Sequence, residues 1–151
     1  MNLYCQSFEN LKEIKIKVNP HENFQFDFLN IENSLPMFSN KKINYNSLIE
    51  FNLQIDEQFI NLEEFKNLIN NIDNLQTLKK FILYANFDDN IDNNLYEDFI
   101  KKILSLNIEF IKIEMYGLNK EYYSFEELKK INKNIEFKNF EFINIPKIKK
   151  E

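Results

Sequence analysis

Leu78–Asn86, LKKFILYAN, reads apolar-x-x-apolar-x-apolar-x-x-Asn, with Leu78, Phe81 and Leu83 in the apolar positions. The same skeleton stands thirty residues earlier at Leu48, Phe51, Leu53 and Asp56, and thirty residues later at Ile108, Ile111, Ile113 and Tyr116. Another copy follows after twenty-nine residues, at Phe137, Phe140, Phe142 and Ile145. A fifth, thirty-seven residues before the Leu48 copy, uses Leu11, Ile14, Ile16 and Asn19. A nearly fixed interval is the mark of stacked strand–helix units, because one such unit cannot bury its apolar face alone. The short apolar centres predict strands near Ile14, Phe51, Phe81, Ile111 and Phe140.

The segments between the copies carry helical spacing. Leu62, Phe65, Leu68, Ile69 and Ile72 form one apolar stripe; Leu95, Phe99, Ile100, Ile103 and Leu104 form a second; Phe125, Leu128 and Ile131 form a third. Each stripe follows a capping pair, Asn61 with Glu64, Asn94 with Glu97, and Ser124 with Glu127. A short polar side chain three residues before an acid satisfies the free amides of a helix start. Helices are therefore predicted over Asn61–Asp73, Asn94–Leu106 and Ser124–Lys133. Phe65, Leu95 and Phe125 are themselves thirty apart, which predicts one common register for helices and strands.

On these residues the chain resembles the leucine-rich-repeat family, in its longer strand-plus-helix class. NLKEIKIKVN and LKKFILYAN fit the repeat fully, while Asp56, Tyr116 and Ile145 replace its Asn. The resemblance spans Leu11 to Ile145. It implies an α/β solenoid of about five repeats, with a parallel sheet on the concave side and helices outside. It also implies an Asn ladder bonded to turn backbone, interrupted at the three departures. Residues 1–47 are then an N-terminal cap and irregular first repeat, 48–145 the regular repeats, and 146–151 a frayed polar tail. Phe24, Phe26 and Phe28 alternate with polar residues. They read either as a capping strand turned back on Ile14–Val18 or as part of the irregular repeat.

Composition narrows the function. The 151 residues carry a net charge of −5, and all nineteen basic residues are Lys. A nucleic-acid surface normally has a basic stripe and Arg for bidentate contacts, so nucleic acid is not an expected partner. The single Cys, Cys5, favours a reducing compartment. The N-terminus lacks the pattern of a signal peptide, and no apolar run reaches the length of a membrane span. The expected location is the cytoplasm, with no membrane partner.

Candidate sites for chemistry are few. Asp88, Asn90, Asp92 and Asn94 alternate like calcium ligands, but the twelfth position is Phe99, where a bidentate Glu is needed. The simpler reading is a solvated loop with Asn94 as helix cap. His21 and Cys5 are each the sole residue of their kind, too few for a zinc site and without the third member of a catalytic triad. His21, after Pro20, reads as a turn residue. With Gly117 the only glycine, a Gly-rich phosphate loop is impossible. Lys147, Lys149 and Lys150 read as a solubilising terminus. No catalytic residue, metal, cofactor or small-molecule substrate is expected.

The expected function lies on the concave face. Alternation places three rows there. They are Glu13, Glu50, Lys80, Phe110 and Asn139; Lys15, Asn52, Ile82, Lys112 and Glu141; and Lys17, Gln54, Tyr84, Glu114 and Ile143. Ile82, Tyr84 and Phe110 form an apolar spot among Lys80, Lys112, Glu114, Asn52 and Gln54, the pattern of a protein-binding hot spot. The expectation is a non-catalytic protein-binding module or adaptor whose partner is another protein. The alternative is a small structural subunit of a larger assembly. A third reading is an acidic inhibitor of a basic partner.

Overall fold

The computed structural model describes residues 11–18, 35–40, 45–116, 121–131, 133 and 139–147. Within them the chain is a mixed α/β structure. Its strands are β1 (Glu13–Val18), β2 (Glu50–Ile60), β3 (Lys80–Phe87), β4 (Phe110–Tyr116), β5 (Glu121–Tyr122), β6 (Asn139–Asn144) and β7 (Pro146–Lys147). Its helices are α1 (Leu62–Ile72), α2 (Asn93–Ser105) and α3 (Phe125–Ile131), with a 3-10 turn at Pro36–Phe38. Five strands form one parallel sheet in the order β1-β2-β3-β4-β6, and β5 pairs with β7 in a small antiparallel ribbon.

The strand register is the one the spacing predicts across the first four strands. Ile14 pairs with Phe51, Phe51 with Phe81 and Phe81 with Ile111. Leu53, Leu83 and Ile113 form the next row. Backbone bonds at the strand entries fix this alignment. The Lys12 carbonyl accepts from the Ile49 and Glu50 amides at 2.8 and 3.0 Å, and Ile49 accepts from Lys79 and Lys80 at 2.8 and 3.0 Å. Lys79 accepts from Glu109 and Phe110 at 2.9 and 3.1 Å. Each of these carbonyls uses both lone pairs on the next strand's entry, so sliding one strand by a residue breaks two bonds at once. The turns leading in repeat as well: Leu48 donates to the Tyr45 carbonyl and, thirty residues on, Leu78 to the Leu75 carbonyl, both at 3.1 Å.

Two irregularities depart from the predicted register. Gln54 pairs with Tyr84 but Phe59 pairs with Asn86, so four residues of β2, 55–58, oppose Ala85 alone. Asp56 therefore falls in this bulge and not at a turn. On β6, Glu141 is the additional residue, so Lys112 pairs with Phe142, Ile113 with Ile143 and Glu114 with Asn144. The expected rows joining Lys112 to Glu141 and Glu114 to Ile143 are thus corrected by one residue. The strands also run past the position where the resemblance places a turn asparagine. Ala85, Phe87 and Met115 are fully buried, while Asn86 and Tyr116 alternate to the other face as register partners. The Asn ladder implied by the resemblance is replaced there by sheet pairing.

The first two helices bury their stripes against one side of the sheet, and α3 adds Leu128 to the same core. Phe65, Leu68, Ile69 and Ile72 of α1 and Tyr96, Phe99, Ile100, Ile103 and Leu104 of α2 join Phe51, Phe81, Leu83 and Ile111 in one core. Ring contacts run within and between the layers: Phe51 stacks on Phe81 at 5.2 Å in the sheet, Phe65 meets Phe99 at 5.5 Å between helices, and Phe65 meets Phe87 at 5.2 Å from helix to sheet. Each side chain of this size taken out of water stabilises the fold by about 1.5–3 kcal/mol. Lys102 of α2 donates to the last turn of α1, to the Ile69 carbonyl at 3.2 Å, and pairs with Asp73 at 3.1 Å. A cation there also meets the negative end of the helix dipole. Buried Asn71 donates to the Met37 carbonyl at 2.8 Å, clamping the 3-10 turn beside α1.

The helix register differs from the prediction. The caps are Asn61, Asp92 and Ser124, thirty-one and thirty-two residues apart, while β2, β3 and β4 keep a thirty-residue step at their entries. Asp92, and not Asn94, accepts the Leu95 amide at 3.0 Å. Leu95 is consequently half-buried with Tyr96 in the core, and Phe125 is 41% exposed under the Lys129 ammonium. Ser124 and Glu127 do form a reciprocal capping box, at 3.2 and 2.8 Å. Lys147, with the Ser124 amide second, holds the Glu127 carboxyl down at about 2. Pro146 is buried and Lys147 is bonded to Glu127, so residues 146 and 147 are not part of a frayed tail.

Phe24, Phe26, Phe28, Cys5, His21, Asn19, Phe137, Lys149 and Lys150 lie outside the described residues. Among the described residues no helix is long and apolar enough to cross a membrane.

Phe81→Ala and Ile111→Ala each empty a central, fully buried rung. Each is expected to cost roughly 2–5 kcal/mol in urea denaturation, against less than about 0.5 kcal/mol for exposed Lys101→Ala. Equal midpoints for the three variants contradict the packing described.

Candidate binding face

The side of the sheet opposite the helices carries the outward members of the alternating strands. On β4 the alternation is complete: Ile111, Ile113 and Met115 are buried among the core, and Phe110, Lys112, Glu114 and Tyr116 are half-buried on the other side. The register sets Glu13, Glu50, Lys80 and Phe110 in one row, Lys15, Asn52, Ile82 and Lys112 in the next, and Lys17, Gln54, Tyr84 and Glu114 in the third. The eight residues expected to bind a partner, Asn52, Gln54, Lys80, Ile82, Tyr84, Phe110, Lys112 and Glu114, are thus brought onto adjacent strands of one face.

Their side chains are more organised than a row of independent surface groups. The Glu50 carboxylate lies between Lys15 and Lys80, at 3.4 and 3.5 Å, and Lys15 also reaches Glu13 at 3.5 Å. Glu13 and Glu50 together raise the Lys15 ammonium above its ordinary range. Lys80 continues the chain to Phe110, with its ammonium 5.5 Å from the ring centre. In the second and third rows, Gln54 donates to the Asn52 side-chain carbonyl at 3.0 Å. A line of polar and cation–π contacts therefore runs from β1 to β4, each contact holding a long side chain along the sheet surface.

One consequence alters the expected hot spot. Ile82 is only 8% exposed although it belongs to the outward row and not to the core cluster. It is covered, so it acts as a floor and not as a contact residue. Tyr84 and Phe110 remain half-buried. Sequence reasoning missed Tyr116, whose position was read as a turn asparagine slot. Its ring meets Tyr84 edge to face, with centroids 5.3 Å apart, and its hydroxyl donates to Glu114 at 2.9 Å. The signal that finds it is the alternation Phe110, Lys112, Glu114, Tyr116. Burial first, and the bond to Glu114 second, push the Tyr116 hydroxyl up to about 12. It therefore stays a donor at neutral pH.

The Asp88–Asn94 loop has a structural role. The Asp88 amide donates to the Ile60 carbonyl at 3.1 Å, Ile91 is buried, and Asp92 caps α2. Among the described residues, no group of three or more His, Cys, Asp and Glu is placed to hold a metal ion. No family model, curated protein or solved structure matches the chain.

The Glu50 geometry generates a test. As an outward residue, Glu50 is expected from the sequence to tolerate truncation within about 0.5 kcal/mol, but its side chain is 13% exposed between two lysines. Glu50→Ala leaves Lys15 and Lys80 facing each other across β2, and is expected to lower Tm by about 1–3 °C at low salt. The difference should shrink in 1 M NaCl, where the Debye length is about 3 Å. An unchanged Tm at low salt shows that the ladder contributes nothing.

Proposed function

We propose that the chain is a solenoid of the leucine-rich-repeat type that serves as a non-catalytic protein-binding module in the cytoplasm. The observation that carries the architecture is the repeated strand entry. Lys12, Ile49 and Lys79 each accept two amides from the following strand, at steps of thirty-seven and thirty residues. A backbone arrangement that recurs along the chain by translation is what stacked repeats require. The long strands, the bulge in β2 and the displaced Asn86 make it a divergent member of that architecture.

The open face supports the binding reading. It holds half-buried aromatic side chains, Tyr84, Phe110 and Tyr116, above a buried floor residue, Ile82, and between pre-positioned lysines and Glu114. Rings held by ordered polar neighbours lose little side-chain freedom on docking, which lowers the cost of association. Aromatic anchors ringed by polar groups are the usual centre of an interface.

The test pairs affinity with stability. Tyr84→Ala and Phe110→Ala are each expected to weaken binding to the protein that co-purifies from the native source by on the order of 1–2 kcal/mol or more. Tm should change little, because neither ring fills the helix-side core. Lys101→Ala, on the helix layer, should leave affinity unchanged. Binding that survives both aromatic truncations and fails on helix-side substitutions places the functional surface on the other face.

A further inference from the structure

The two halves of the open face differ in charge balance. Toward the strand entries, Glu50 is neutralised by Lys15 and Lys80, and Lys80 is also engaged with Phe110. Toward the strand ends, Glu114 accepts one hydrogen bond, from the Tyr116 hydroxyl at 2.9 Å. No lysine among the described residues forms an ion pair with it, and Lys112, two residues earlier on the same face, does not reach it. A carboxylate offers roughly four acceptor positions, so about three stay open on Glu114.

The Tyr84 ring, diagonal to Tyr116 across β3 and β4, meets it at an interplanar angle of 66°. Two rings at such an angle form a corner, and the face of a tyrosine ring carries partial negative charge. Glu114 is paired with Tyr84 in the register and bonded to Tyr116. The corner thus combines two aromatic rings with a carboxylate that no lysine among the described residues pairs.

We infer that the Tyr84–Tyr116–Glu114 corner receives a basic side chain of the partner protein, with arginine favoured over lysine. A guanidinium is planar and weakly hydrated; it can lie on the Tyr84 or Tyr116 ring and direct two N–H groups to one carboxylate. An ammonium is a compact, strongly hydrated charge that gains less from a ring face. The chain holds no arginine of its own. Its net charge of −5 steers a basic partner toward it and disfavours an acidic one. This inference rests on the open-face reading and adds to it the chemistry of what docks there.

The experiment uses the full chain with its tyrosine rings carbon-13 labelled, followed by NMR during titration with tetra-arginine and, separately, tetra-lysine. The expected result is a saturable shift of the Tyr84 and Tyr116 rings, with tetra-arginine bound at least about 5-fold more tightly than tetra-lysine. Glu114→Gln keeps an acceptor for the Tyr116 hydroxyl while removing the charge. It should weaken tetra-arginine binding about 10-fold at unchanged Tm, and Tyr84→Leu should weaken it comparably. Equal affinity for the two peptides, shifts spread over all the tyrosines, or unaltered affinity in Glu114→Gln overturns the inference. The native partner separates the two levels of the argument. If Tyr84→Ala loses the partner and Glu114→Gln keeps it, arginine recognition is wrong and the open face stands. If both variants keep it, both readings fall.

Discussion

The alignment of each strand entry on the carbonyl before it is the constraint from which the remaining structure follows. Lys12, Ile49 and Lys79 each bind two consecutive amides of the next strand. In a sheet, a one-residue slip exchanges every inward side chain for an outward one. With the entry held, Phe51, Phe81 and Ile111 fall in one buried row and Leu53, Leu83 and Ile113 in the next. Stacking of Phe51 on Phe81 then rewards the same alignment from the side-chain level. Backbone and side-chain preferences agree, which is the condition for a sequence to specify one register.

Among the described residues, the helices cover one side of the parallel sheet and side chains of the strands line the other. These side chains make contacts that run across strands, Glu50 with Lys15 and Lys80, Lys80 with Phe110, and Tyr84 with Tyr116, and contacts along a strand, Glu13 with Lys15 and Tyr116 with Glu114. Surface ion pairs of this kind contribute little stability individually. Their larger effect is geometric, since they hold long side chains and the Phe110 ring along the sheet surface. Stability resides on the helix side, where Phe65, Phe81, Phe87 and Phe99 meet. Truncations on the other face are therefore expected to cost less stability than truncations in this core.

Much of the strand architecture was legible in the sequence, because spacing reports backbone register directly. The intervals of thirty-seven and thirty residues correspond to the pairs Ile14–Phe51, Phe51–Phe81 and Phe81–Ile111. The helices obeyed a different arithmetic. Three additional residues in the β2 bulge and a longer loop after Phe87 moved the second cap to Asp92, so the apparent repeat of Phe65, Leu95 and Phe125 was coincidental. Both Asp92 and Asn94 are chemically able caps, and only the entry of α2 selects between them. Single-residue bulges such as Glu141 leave no mark in an apolar skeleton that tolerates Phe or Ile at neighbouring positions. On the candidate face, the residues were legible but their coverage was not. Ile82 is buried although it lies in an outward row, and Tyr116 was concealed by a consensus position that implied a turn.

The central claim is a parallel, in-register sheet with a thirty-residue step. Backbone proton contacts measured by solution NMR test it most directly. The account predicts cross-strand contacts joining Phe51 to Phe81 to Ile111 and, two residues on, Leu53 to Leu83 to Ile113, in the same order along every strand. Contacts running in opposite order along neighbouring strands, or pairing Phe51 with Ile82, would contradict it.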